Sequence, residues 1–338
     1  MKKAIITGER QASLVEAPDP RPRGEWALVK VHVAPMCTEY KAFLAGGRHE
    51  YLGHEAAGEV VEVAQPGRVK VGDRVVAMPL AGCGRCYLCL SGDYIHCQDA
   101  PDFEQTHGSR EGSATMAQYL LKQDWLLLPI PDDLSYEQAS LACCALGPSF
   151  GAMALLQLTA FDTILITGLG PVGLGAVVNA LFRGARVIAV ESHLWRAERA
   201  RTMGVEAVLD PADPDTLHQV RHLTDGRGVD CSLDCSGTVA AQRLCLEATK
   251  RKGRVAFVGE CSEELHLRAS PDLLRQGLTL YGSWHYNLKH FADIIQVIRR
   301  SPLLDLLVSH VLPMSQIQEV FELSASPEHA KILLKPWE

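Results

Sequence analysis

Residues 163–191 constrain the fold more than any other stretch of the chain. A β-branched, apolar run, Thr163-Ile164-Leu165-Ile166-Thr167, leads into Gly168-Leu169-Gly170-Pro171-Val172-Gly173 and then a helical stretch from Leu174 to Phe182. Such a glycine pattern specifies structure only between a strand and a helix, and here both flanks are present. The first glycine makes the turn, the second lets backbone approach a pyrophosphate, and the third lets helix and strand pack closely. The start of the helix offers free N–H groups and a positive dipole end to phosphate. Gly184-Ala185-Arg186 then leads into Val187-Ile188-Ala189-Val190, which ends on Glu191, 23 residues after Gly168. An acid near that distance bonds ribose hydroxyls and repels the extra phosphate of NADP, so Glu191 points to NAD, with NADP the weaker alternative. Arg196, Arg199 and Arg201 lie close enough to soften that preference. Gly168, Gly170, Pro171, Val172, Gly173, Glu191 and Arg196 are the expected coenzyme residues.

The same pattern continues downstream. Residues 205–209, 229–234, 253–259 and 278–282 read as further strands, separated by helical segments around 193–203, 214–224, 238–250 and 271–276. Six strands alternating with helices describe an α/β, doubly wound parallel sheet of Rossmann type. The first 145 residues differ, with short strands and turns at Gly67, Gly72-Asp73 and Pro79 that suggest an irregular β-rich domain. A chain of 338 residues accommodates both, at roughly 150 residues per domain.

Eleven cysteines are the unusual element of the composition. The amino terminus turns polar after three apolar residues, Ala4-Ile5-Ile6, too short for the apolar core of a signal peptide. A cytoplasmic location is therefore expected, where metal binding or redox chemistry is the better prior for cysteines than disulfides. No apolar run reaches the roughly 18 residues that span a bilayer. A net charge of −7 without a long basic stripe argues against nucleic acid as the main partner. Cys83, Cys86, Cys89 and Cys97 share one glycine-bearing loop, with Gly82, Gly84 and Gly92 easing its turns. Four thiolates with no open position describe a structural zinc. An iron–sulfur cluster or a group of free thiols is compatible with the same spacing. Cys231, Cys235 and Cys245 lie in apolar contexts and read as packing.

Three further features lie outside the glycine loop: Gly53-His54-Glu55-Ala56-Ala57-Gly58, Val71-Gly72-Asp73-Arg74-Val75 and the ending Ala330-Lys331-Ile332-Leu333-Leu334-Lys335-Pro336. Together with the cysteine lobe and the glycine loop, in this order, they make the chain resemble the zinc-containing medium-chain alcohol and polyol dehydrogenases over essentially its whole length. The resemblance implies a GroES-like catalytic domain built from residues 1–146 and 285–338, with the zinc lobe at about 82–98. It implies an NAD-binding domain over 147–284, and a catalytic zinc in the cleft between the two. Ligands in that family are an early Cys, the His of Gly-His-Glu, and a Cys or acid before the coenzyme domain. His54 matches the imidazole. Cys144 is preferred for the later ligand, with Cys143 as its packed neighbour. Glu55 is an adjacent carboxylate or an exchange ligand. For the early ligand, the family commonly reads Cys, one variable residue, Ser or Thr, then an acid, whereas this chain reads Met36-Cys37-Thr38-Glu39. Either Met36 occupies the ligand place, or one residue has been lost and Cys37 does. Thioether is a poor zinc ligand, which favours Cys37. The remaining alternative leaves Cys37 merely buried, with His54, Cys144 and an acid such as Glu55 or Glu39 holding zinc, or zinc absent.

The activity implied is hydride transfer between an alcohol and NAD, helped by a catalytic zinc. Thr38 is then the first member of a proton relay, the alternative being a structural hydroxyl bonded to backbone, and His49 reads as a surface or cleft residue placed to contact a hydroxylated substrate. Arg48, Glu104, His107, Arg110 and His285 are further polar residues available to line the site. A secondary alcohol of a polyol, sugar or cyclitol is the first substrate expectation, and a simple alcohol or aldehyde the second. Competing readings are a zinc-depleted reductase of activated double bonds, a protein that binds NAD(P) without turnover, and a zinc-lobed binding module. The resemblance also implies a homodimer or homotetramer, paired near Leu278–Tyr281.

Overall fold

The computed structural model describes residues 1–338, which pack as two units. Met1–Cys144, Asn287–Arg299 and Val308–Glu338 form the first; Ala145–Tyr286 and Arg300–Leu307 form the second. In the first, β1 (Lys2–Gly8) and β2 (Gln11–Glu16) pair antiparallel. The long β3 (Trp26–Pro35) pairs antiparallel with β4 (Ala56–Val63), which continues to β5 (Arg74–Ala77). β6 (Tyr119–Gln123) lies against β3, and β7 (Leu127–Pro129) against β5. Val29, Val31, Phe43, Val60 and Phe321 bury against one another in the core of this unit. Phe43 and Phe321 stack with ring centroids 5.0 Å apart.

The second unit holds β8 (Thr163–Thr167), β9 (Arg186–Val190), β10 (Ala207–Leu209), β11 (Val229–Asp234), β12 (Thr249–Phe257) and β13 (Thr279–Gly282). Their order is β10-β9-β8-β11-β12-β13, all parallel. The chain therefore reverses its direction of winding between β8 and β11, where such sheets bind ligands beyond the strand ends. This is the doubly wound sheet expected from the alternating pattern. The helix after the glycine loop starts at Pro171, earlier than Leu174, because proline suits a first turn whose N–H has no intrahelical partner. A β-carbon on Gly173 would stand 1.8 Å from the carbonyl oxygen of Gly168, so only glycine fits there.

Two expected helices differ. The one drawn over 238–250 stops at Ala248, and Thr249 already belongs to β12. The segment expected as a helix over 271–276 is a π-type turn over Ala269–Leu274. Asp272 is fixed there by both terminal nitrogens of Arg243, at 2.7 and 3.0 Å, and by the Arg268 N–H at 2.9 Å. That anchor, rather than helix propensity, shapes the turn.

The chain end returns to the first unit. β14 (Val308–Pro313) pairs parallel with β15 (Lys331–Lys335), and β15 pairs antiparallel with β3 through Leu333–Pro35 and Leu334–Ala34. The last strand thus lies beside the end of β3, where Cys37 follows. No helix is long and apolar enough to cross a membrane.

Candidate functional site

The Sγ atoms of Cys83, Cys86, Cys89 and Cys97 all lie within 4.8 Å of one another. Backbone N–H groups already point at sulfur: Cys83 donates to Cys97 Sγ at 3.2 Å, and Cys86 to Cys83 Sγ at 3.3 Å. Backbone N–H groups of Arg85 and Cys86 pull the Cys83 thiol down to about 6, while burial pushes Cys89 up to about 12. Gly82 lets this loop close: a β-carbon there would stand 2.9 Å from Cys89 Sγ and 3.0 Å from the Trp125 ring. Gln123 holds Gly82 at both its N–H (3.2 Å) and its carbonyl (2.8 Å). Four converging thiols with donors on sulfur suit a closed tetrahedral ion.

A second cluster gathers Cys37, His54, Glu55 and Cys144, again with one ligand atom from each within 4.8 Å of the others. Cys37 follows the end of β3, where the Met36 N–H donates to Ile332 O at 2.9 Å. Met36 itself is 2% exposed and packs in the core, so the structure brings Cys37 and not Met36 to the cluster. Cys144 Sγ is 3.4 Å from His54 Nε2. Cys143 faces away, its thiol donating to Ala77 O at 3.7 Å.

Two carboxylates hold these groups. Glu39 bonds His54 Nδ1 at 2.9 Å and accepts the Cys37 N–H at 2.9 Å. Nε2 is thereby turned toward the sulfurs, as metal-binding imidazoles are when their other nitrogen is held. Glu55 accepts the Cys144 N–H at 3.0 Å and the ammonium of Lys331 at 2.6 Å. Glu55 and Lys331 are 0% and 1% exposed at their side chains. Glu55 Oε1 lies 3.9 Å from His54 Nε2, so Glu55 reaches the cluster while already bonded on both oxygens.

The donor atoms of the cluster suit a metal cation. A hydrogen bond with Cys144 holds the Cys37 thiol well below its usual range against burial, and the same bond, with burial, pushes Cys144 well up. Burial disfavours imidazolium, yet Cys37 and Glu39 raise His54 to about 11. Burial raises Glu55 to about 7, against the pull of Lys331. Two thiols and an imidazole nitrogen this close together fit a zinc ion, which takes soft sulfur and nitrogen and displaces their protons when it binds.

In the second unit, Gly170 caps the helix Pro171–Phe182, and the Leu174 N–H donates to Gly170 O at 2.9 Å. Glu191, 8% exposed at the end of β9, accepts the Leu169 N–H at 2.7 Å and the His193 N–H at 2.9 Å. Its carboxylate therefore stands beside the loop rather than in bulk solvent. Arg196 Nη1 would lie 3.9 Å from a β-carbon on Gly170, close to the turn expected to take phosphate.

Other expected residues are placed differently from the cluster. Thr38 is exposed. His49 is exposed and tied to β1 through two backbone hydrogen bonds with Ile6, at 2.9 and 3.0 Å. His107 does not line a site: it is buried between Trp26 and Phe103, with ring centroids at 4.7 and 4.6 Å. Arg110 lies over the Tyr51 ring, and His285 is buried against Tyr286. Sequence reasoning missed the bridging role of Glu39 and the whole role of Lys331. The available signal for Lys331 was a charged residue heading the apolar run Ile332-Leu333-Leu334.

Known proteins match this picture. The family model of the alcohol dehydrogenase GroES-like domain covers residues 23–132, and that of the zinc-binding dehydrogenase covers residues 171–300. A sorbitol dehydrogenase of Bacillus subtilis (strain 168) is 33% identical over 298 residues, 85% of this chain and 82% of that protein. An L-threonine 3-dehydrogenase of Symbiobacterium thermophilum is 30% identical, over 96% of this chain and 94% of its own. The solved structure of alcohol dehydrogenase TADH from Thermus sp. ATN1 superposes with a TM-score of 0.88 at 26% identity, covering 99% of both chains. Fold and clusters define a zinc-dependent oxidoreductase that works with a nicotinamide coenzyme. The chain belongs to the zinc-containing medium-chain alcohol and polyol dehydrogenase family, and its substrate is a small-molecule alcohol.

Proposed function

We propose that the chain exchanges a hydride between NAD and a secondary alcohol of a polyol, sugar or cyclitol, using a catalytic zinc held by Cys37, His54 and Cys144. The carrying observation is the convergence of two thiols and one imidazole nitrogen, each braced by Glu39 or the buried Glu55, in a chain with a complete coenzyme unit. Zinc, when bound, supplies Lewis acidity toward a substrate oxygen, and NAD supplies the hydride acceptor. Glu39 keeps Nδ1 of His54 occupied, so that Nε2 is the nitrogen that would hold the ion. Glu55 orients Cys144 through its backbone, and Lys331 balances the charge of Glu55. Thr38, exposed beside Cys37, is the proposed carrier of the substrate proton to solvent. His49 is kept as a contact for a distant substrate hydroxyl. A second, structural zinc is assigned to Cys83, Cys86, Cys89 and Cys97.

The polyol choice draws support from the sorbitol dehydrogenase relative. It is tested by following NADH formation with sorbitol, other polyols and primary alcohols of equal length. A kcat/KM at least about tenfold higher for a polyol is expected, because a site built to bond hydroxyls rejects substrates that lack them. A preference for the primary alcohols contradicts the assignment.

NAD is preferred over NADP in this proposal on the strength of Glu191, held by the Leu169 and His193 N–H groups beside the glycine loop. Glu191→Ala should lower the NAD-over-NADP ratio of kcat/KM by about tenfold or more, the worth of one to two charge-assisted hydrogen bonds. An unchanged ratio removes Glu191 from the site. We also assign the chain to a homodimer or homotetramer paired through β13, an edge strand of its sheet. A cytoplasmic location agrees with eleven unpaired cysteines, several of them poised for metal.

A further inference from the structure

Asp234 ends β11, next to the reversal of the sheet, and is 0% exposed. Its carboxylate touches no cation among its hydrogen-bond partners, all of which are neutral donors. Oδ1 accepts the Thr167 hydroxyl at 2.9 Å, the Ser236 N–H at 3.0 Å and the Ser236 hydroxyl at 2.8 Å. Oδ2 accepts the Gly237 N–H at 3.2 Å and the Gln242 side-chain amide at 3.4 Å. The backbone carbonyl of the same residue accepts the N–H groups of Val258 and Gly259, at 2.9 and 3.0 Å. One residue thus ties together the ends of β8, β11 and β12.

The turns it ties are in contact along their backbones. A β-carbon on Gly168 would stand 2.7 Å from Ser236 Cα, and one on Gly237 would stand 2.3 Å from Glu260 O. One on Gly259 would stand 2.2 Å from the Gly237 nitrogen. No side chain separates the glycine loop from the turn after β11, nor that turn from the one after β12. A shift of the Ser236-Gly237 turn therefore passes directly to its neighbours. A buried carboxylate without a cation is costly to keep, and packing alone is served as well by an apolar residue.

β8, β9 and β10 make one mononucleotide-binding half of such a sheet, and β11, β12 and β13 the other. Glu191 belongs to the first half. We propose that Asp234 is a positioning residue for the second, nicotinamide-bearing half of the coenzyme, setting its affinity by fixing the turns 235–238 and 258–260. This rests on the coenzyme reading above.

The test uses the full-length protein with Asp234→Asn, which sets an amide N–H₂ against groups that are themselves donors. Thr167→Val and Ser236→Ala, each removing one donor, are the milder companions. NADH affinity is read by fluorescence titration and AMP affinity by calorimetry, with Tm recorded for each variant. Asp234→Asn should weaken NADH by about tenfold or more, while AMP, which occupies only the first half, changes by less than about twofold. The companions should move in the same direction by smaller factors, and they carry the comparison if Asp234→Asn does not fold. Unchanged NADH affinity, or equal weakening of NADH and AMP, overturns the proposal. Failure of the unaltered protein to bind either nucleotide overturns instead the coenzyme reading on which it rests.

Discussion

His54→Ala should lower kcat by about 10³-fold or more while leaving NADH affinity unchanged. His54 supplies the only nitrogen of the Cys37–His54–Cys144 cluster, and Glu39 is committed to aiming it. Alanine leaves two sulfurs that no longer enclose an ion and a Glu39 carboxylate with the Cys37 N–H as its remaining partner. Lewis-acid stabilisation is worth several kcal/mol, and about 4 kcal/mol corresponds to roughly a thousandfold in rate. The residues assigned to coenzyme lie in the other unit, which separates loss of chemistry from loss of NADH binding. Full activity in this variant would remove the cluster from the mechanism.

Lys331→Met should be the most damaging single substitution for the stability of the first unit. Lys331 and Glu55 are buried together, and Glu55 also carries the Cys144 N–H. Removing one partner of a buried pair typically costs about 3–5 kcal/mol, because the other charge stays in low dielectric. Calorimetry should show Tm falling by roughly 10 °C in a chain of this size. Adding Glu55→Gln should recover part of the loss, since the stranded charge goes with it. If Lys331→Met melts with the unaltered protein, the pair is not a buried charge pair in solution.

The coenzyme unit was legible because its signals are local. A strand, a glycine loop and a helix follow one another within 20 residues, and the later strands repeat the alternation. The four-cysteine lobe was legible for the same reason, its thiols sharing one loop. The second cluster was legible only in part. Its residues come from positions 37, 54 and 144, so each register is set by contacts far away in the chain. Cys37 rather than Met36 faces His54 because the Met36 N–H is tethered to Ile332 and its side chain is buried in the core. Cys144 rather than Cys143 turns inward because Glu55 takes its N–H, while the Cys143 thiol finds Ala77.

Lys331 was not legible as a site residue at all: its partner lies 276 residues away in the chain. The π-type turn at Ala269–Leu274 escaped the pattern because Asp272 is held by Arg243, a residue of the preceding helix. His107 looked like a polar residue free for substrate, and it is instead covered by two aromatic rings. In each case helical or strand periodicity was silent about a side chain whose place is decided by one tertiary contact.

Counting zinc per chain in the purified protein and in His54→Ala tests the central claim most directly, with anomalous diffraction at the zinc edge to locate the ions. Two zincs are expected in the unaltered protein, one among Cys83, Cys86, Cys89 and Cys97 and one among Cys37, His54 and Cys144. One is expected in His54→Ala, confined to the four-cysteine loop. A single zinc in both proteins, with dehydrogenase activity retained, would contradict catalysis at the Cys37–His54–Cys144 cluster.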